Sequence, residues 1–166
     1  MSFGIVLAMR GSAKVKMDGT KTSVFAMPDI GLGFASGALS VLVFQMGLAA
    51  LLHAAGVLPN APYSMAPVPP LGVPQSLSSA FWGGMWGIVL LALLRASNGG
   101  ARYWLTAILF GGIVVGGTLI FLVFPLKGRP FAAGWDLSVW ATIFTLHAVF
   151  GLGTAVFARL IGGLRG

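Results

Sequence analysis

Few residues in this chain are equipped for chemistry. Of 166 residues, three are carboxylates (Asp18, Asp29 and Asp136), two are histidines (His53 and His147) and none is cysteine. Without cysteine there are no disulfides, thiolate metal sites, iron–sulfur clusters or thiol nucleophiles. The acids stand far apart in the flanks of apolar runs, so no pair is available for general acid–base work or a proton relay. No Walker loop, metal-protease motif or dinucleotide-binding glycine pattern after a strand occurs. Gly31-Leu32-Gly33 simply opens an apolar helix. No catalytic residue and no metal site is expected, and the chain does not read as an enzyme.

Three polar residues do fall inside apolar runs, the default places to look for function in a membrane. Gln45 lies near the middle of the first run, His53 further along it, and His147 near the middle of the last. Gln45 and His53 differ by about 80° around a helix and share a broad face. His147 shares a stripe with Gly151 and Thr154. One reading has these groups hydrogen-bonding between helices, with Gln45 the partner of His147 by depth. A second makes His147 or His53 the axial ligand of haem or a chlorophyll-type pigment, which at His147 requires a flat cavity beside Gly151. The two histidines differ in depth by about 5–8 Å at 1.5 Å per residue, so a single-histidine pigment site is the simpler form. A third reading is substrate passage through a small oligomeric transporter. The first reading carries no cofactor.

The elements that position these residues follow from composition. Hydrophobic residues make up 57% of the chain and charged residues 8%, and mean hydropathy is +0.95. A soluble domain has about 25% charged residues with which to cover its surface. The exterior of this chain therefore meets lipid. The expected fold is an all-α integral membrane protein, four transmembrane helices in an antiparallel up-down bundle. The spans are expected at residues 30–58, 77–94, 103–124 and 137–161, the third stopped by Pro125. Residues 1–28 form an N-terminal segment and 29–166 the transmembrane domain, with Asp29 as helix N-cap. The patch Phe3 to Met9 is too short to span. The first run is about twice as long as the 7–15 residues of a signal-peptide core, so it reads as a retained span.

Charge placement sets the orientation. Arg10, Lys14, Lys16 and Lys21 precede the first span, Arg95 and Arg102 lie between the second and third, and Arg159 and Arg165 end the fourth. Only Lys127 and Arg129 fall on the other side. Both termini are therefore expected in the cytoplasm. The aromatics agree, since Trp and Tyr favour the two interfaces: Tyr103 and Trp104 fall at the inner end, Trp82, Trp135 and Trp140 near the outer, and Trp86 one turn deeper. The net charge of +7 is thus a topology signal, with no basic stripe interleaved with aromatics for nucleic acid.

Each span carries small residues four apart: Gly33 with Gly37, Gly83 with Gly87, Gly112 with Gly116, and Gly151 with Ala155. Such pairs let helix backbones approach closely in lipid. They suit a tight bundle, or docking of another subunit or a second copy. The outer loop, residues 59–76, holds six prolines and no charge. That composition makes it stiff and polyproline-like, either an ordered lid over the bundle or a docking surface.

The stretch PYSMAPVPPLGVPQ followed by AFWGGMWG resembles a group of small four-span bacterial membrane proteins of unknown function. The resemblance extends loosely over all four spans and diverges before Asp29. It implies a multi-pass protein of the bacterial inner membrane and supplies no activity or site residue. The function expected on these grounds is a non-catalytic accessory subunit of a larger inner-membrane complex.

Overall fold

The computed structural model describes residues 27–97 and 99–162. Four of its helices are long and apolar enough to cross a membrane: α1 (Asp29–Ala54), α2 (Gln75–Ala96), α3 (Gly100–Leu126) and α4 (Leu137–Gly162). The chain is an all-α, multi-pass membrane protein. The patch Phe3 to Met9 and the basic residues before the first span lie outside the described residues.

The helix ends depart from the sequence expectation for local reasons. α1 stops at Ala54 instead of Leu58, because Gly56 adopts a φ of 75°. The Gly56 N–H then donates to the His53 carbonyl (2.9 Å) and the Val57 N–H to that of Leu52 (2.9 Å), closing the helix with Val57 and Leu58 outside it. At its other end the helical backbone already begins at Met27, two residues before the span Asp29–Ala54, so Asp29 sits in the first turn and is not the N-cap. There it pairs with Arg95, in the last turn of α2. Pro125 does not stop α3, which continues to Leu126. The turn before it, Leu119–Val123, is π-helical. That wider ring has room for a residue that lacks an N–H and crowds the preceding carbonyl.

Two further π-helical turns, Val41–Gln45 in α1 and Phe110–Val115 in α3, interrupt the spans. Between α1 and α2 the chain makes a hairpin, β1 (Pro67–Val68) pairing antiparallel with β2 (Val73–Pro74). Between α3 and α4 lies a turn of left-handed residues, Ala132, Ala133, Gly134 and Trp135, with φ from 51° to 65°. The Trp140 indole N–H, donating to the Ala132 carbonyl at 2.8 Å, holds it.

α1 packs on α2 and on α4, α4 packs on α3, and α2 meets α3 more sparsely. Glycine spacing explains the first of these contacts. A β-carbon placed on Gly37 would come within 2.8 Å of the Gly87 Cα, and closer still to the Gly83 carbonyl. One on Gly33 would lie 2.7 Å from the Ile88 Cα. The reversed order, 33 and 37 against 87 and 83, makes the pair antiparallel. The shared core holds Val41, Leu90, Leu94, Tyr103, Ala107, Phe110 and Phe150. Val43, Leu51, Leu105, Ile113, Leu122 and Leu160 point outward, where lipid would cover them.

Candidate functional site

The glycine faces are the first candidates, and within the described residues they meet one another. Gly33 and Gly37 lie against Gly83 and Gly87, as above. On α3 the closest approach belongs to Gly111, whose added β-carbon would press on the His147 carbonyl and stand 2.9 Å from the Gly151 Cα. Gly151 in turn faces the Ala107 carbonyl. Gly112 and Gly116 are roomier: a β-carbon at Gly112 would lie 3.4 Å from the Ala148 Cβ, and at Gly116 3.0 Å from a ring carbon of Phe144. Ala155 is fully buried, and its carbonyl accepts the Tyr103 hydroxyl at 2.8 Å.

The intramembrane polar groups are largely tied to backbone. The His147 Nδ1 lies 2.8 Å from the Ile143 carbonyl on its own helix, so the partner the structure gives it is not Gln45. A carbonyl only accepts, so Nδ1 is the donor of this bond. Gln45 closes the π-helical turn of α1. His53 is at the end of α1, its Nδ1 2.8 Å from the Leu58 carbonyl, where it fastens the first residues of the loop.

α4 runs antiparallel to α1, with Gly153 against Ser40 and Phe44 and Gly162 against Leu32. His147 therefore stands level with Gly47, and His53 about six residues, or about 9 Å, further along. The two histidines are not brought together. A macrocycle on His147 was expected to need a flat cavity beside Gly151. That space is filled by Ala107 and Gly111 of α3, so the residues on that side do not fit such a group. Among the described residues, no group of three or more metal-ligating side chains converges.

Two polar arrangements were not legible in the sequence. Between α1 and α4 lie the buried hydroxyls of Ser40 and Thr154, both donating to the Phe150 carbonyl, at 2.6 and 2.9 Å. At the end of the bundle that carries Asp29 and Arg95, the Arg159 guanidinium lies over two rings, 4.2 Å from the centre of Tyr103 and 4.7 Å from that of Trp104. Stacking of this kind is worth about 0.5–2 kcal/mol. It explains why Tyr103 is buried, although its place at a span end suggests an interfacial residue. The adjacent Tyr103-Trp104 pair and a terminal arginine are the only sequence signals for it.

At the opposite end the proline-rich loop is held firmly. The Tyr63 hydroxyl reaches back to donate to the Leu42 carbonyl at 2.8 Å, within the π-helical turn of α1. The Ser64 carbonyl accepts both the Ser76 N–H (3.1 Å) and its hydroxyl (2.9 Å) at the start of α2. Yet two apolar side chains of this loop face outward: Leu71 is 82% exposed and Met65 70%. Comparison with protein-family models, curated proteins and solved structures finds no match to this chain.

Proposed function

We propose that this chain is a non-catalytic accessory subunit of a larger assembly in the bacterial inner membrane, with both termini cytoplasmic, and that it meets its partner through the proline-rich hairpin. The observation that carries the reading is the contrast within that loop. Its backbone is anchored to α1 and α2 through Tyr63 and Ser64, while Met65 and Leu71 are turned away from the bundle. A stiff loop loses little conformational freedom when it docks. Covering a side chain such as Leu71 contributes about 1.5–3 kcal/mol. The glycine faces, engaged with each other inside the chain, are less suited to that role than their spacing suggests. The hydroxyls of Ser40 and Thr154 and the imidazoles of His53 and His147, bonded to carbonyls, support a structural part.

The orientation rests on the lysines and arginines. Single cysteines at Ser64 and Ser97 should react oppositely with an impermeant thiol reagent in intact cells, Ser64 from outside only. Labelling of Ser97 from outside would overturn it. For the docking surface, a photoreactive amino acid at Leu71, activated in native membranes, should give a discrete adduct with one other membrane protein. The same group at Leu160, which faces away from the bundle, should give lipid adducts. Lipid adducts alone at both positions would sink the reading.

A further inference from the structure

At the end of the bundle opposite the hairpin, an open groove of about 470 Å³ runs between α1 and the last turn of α4. Gly31, Leu32 and Ala35 of α1 and Ile161 of α4 line it, with Asp29 and Arg95 at the rim. The walls are apolar and the rim is charged with both signs. All of these residues belong to the ends of spans, where hydrocarbon gives way to headgroups. The groove is therefore open to lipid along its length.

The rim ion pair has a form that matters. Arg95 and Asp29 meet through one nitrogen and one oxygen, Nη1 and Oδ2. A guanidinium has five N–H donors and a carboxylate about four acceptor positions, so a single contact leaves most of both capacities unused. The Arg95 side chain is 37% exposed and that of Asp29 14%. Among the described residues, the remaining guanidinium N–H groups and the second carboxylate oxygen take no other partner, so a ligand seated there meets a cationic edge beside an anionic one. Beneath them, nothing from the other described residues lies within 4 Å of the place a Gly31 β-carbon would occupy, which keeps the floor low.

One molecule of the medium matches all three features. An acyl chain suits Leu32, Ala35 and Ile161; a phosphate suits Arg95; a primary ammonium suits Asp29. We propose that this groove holds a single glycerophospholipid with an aminoethyl phosphate headgroup. The pairing is selective on simple grounds. A glycerol phosphate headgroup brings negative charge to the rim and offers Asp29 hydroxyls but no counter-charge. A choline headgroup carries a positive charge that has no N–H to donate to the carboxylate.

The test is competition. Protein in bilayers of mixed phosphatidylethanolamine, phosphatidylglycerol and phosphatidylcholine is released into the gas phase and its retained lipids are weighed by native mass spectrometry. One retained phosphatidylethanolamine, enriched well above its share of the bilayer, is expected. Gly31→Phe, whose β-carbon would meet nothing among the described residues within 4 Å, should fill the groove and abolish that retention, with the unfolding temperature in lipid-free detergent unchanged. Asp29→Asn should shift the preference towards phosphatidylglycerol. Retention in bilayer proportions would overturn the proposal, as would retention that survives Gly31→Phe, or an unaltered preference in a folded Asp29→Asn variant. If Asp29→Asn does not fold, the wild-type competition and Gly31→Phe decide the matter alone.

Discussion

In the α1–α2 seam glycine faces glycine twice, Gly33 and Gly37 against Gly87 and Gly83; in the α3–α4 seam a single pair, Gly111 and Gly151, makes the closest approach. The first seam lies in regular α-helix, within Met27–Ser40 and Gln75–Ala96. The second crosses the π-helical turn Phe110–Val115. In a regular helix, glycines four apart stay on one face, so two pairs remain in contact. In a π turn each hydrogen-bonded ring takes in one more residue. The residue that reaches the seam is then displaced, here from Gly112 to Gly111. Sequence spacing is therefore a reliable guide to helix contact where the hydrogen-bond ladder is unbroken, and it slips by a position where it is not.

A series of glycine-to-alanine changes sharpens the comparison. Gly37→Ala should have the largest effect, because its methyl would strike backbone atoms of Gly83 and Gly87 that cannot move separately. Overpacking of that kind costs about 1–3 kcal/mol. Gly111→Ala should follow closely, for it strikes the His147 carbonyl and the Gly151 Cα. Gly116→Ala should cost less, since Phe144 can turn aside, and Gly112→Ala should stay within about 0.5 kcal/mol. Unfolding in detergent by denaturant titration would measure all four. If Gly112→Ala were more damaging than Gly111→Ala, the displaced register would be wrong.

The smallest effect concerns how α4, the helix common to the α3 and α1 contacts, begins. The Asp136 carboxylate accepts the Ser138 hydroxyl (2.6 Å), the Ser138 N–H (2.8 Å) and the Val139 N–H (3.3 Å). These bonds, the hydroxyl first, hold its pKa below the usual carboxylate value. A depressed folded pKa gives stability that is present above the unfolded value, about 3.9, and is lost as pH falls through the folded one. The unfolding temperature of the wild type should therefore drop in that acid range more than that of Asp136→Asn, whose amide oxygen caps without titrating. Parallel pH profiles for the two proteins would remove Asp136 from the account.

Much of the fold was legible in the sequence because it depends on properties each segment carries alone. Apolar length marked the four spans, and Gly33, Gly37, Gly83 and Gly87 stood out by spacing. The misses were of another kind. Gly56 ends α1 through its φ, while hydropathy continues to Leu58. The partner of His147 is its own helix, because an imidazole can satisfy Nδ1 on the preceding turn without any neighbour. Arg159 over Tyr103 and Trp104, and Ser40 with Thr154 on the Phe150 carbonyl, join residues of different spans or turns. No periodicity within one span reveals which other span it will meet.

The seams also imply an order of assembly. Each joins spans that follow one another along the chain, so each closes a short loop, and short loops close at the smallest entropic cost. The bond from the Ser40 hydroxyl to the Phe150 carbonyl instead links positions 110 residues apart. Two helical hairpins, α1 with α2 and α3 with α4, are therefore the natural units of insertion. The Ser40 contact, together with the fit of Gly153 against Phe44, belongs to the later event in which the hairpins, already in the bilayer, find each other.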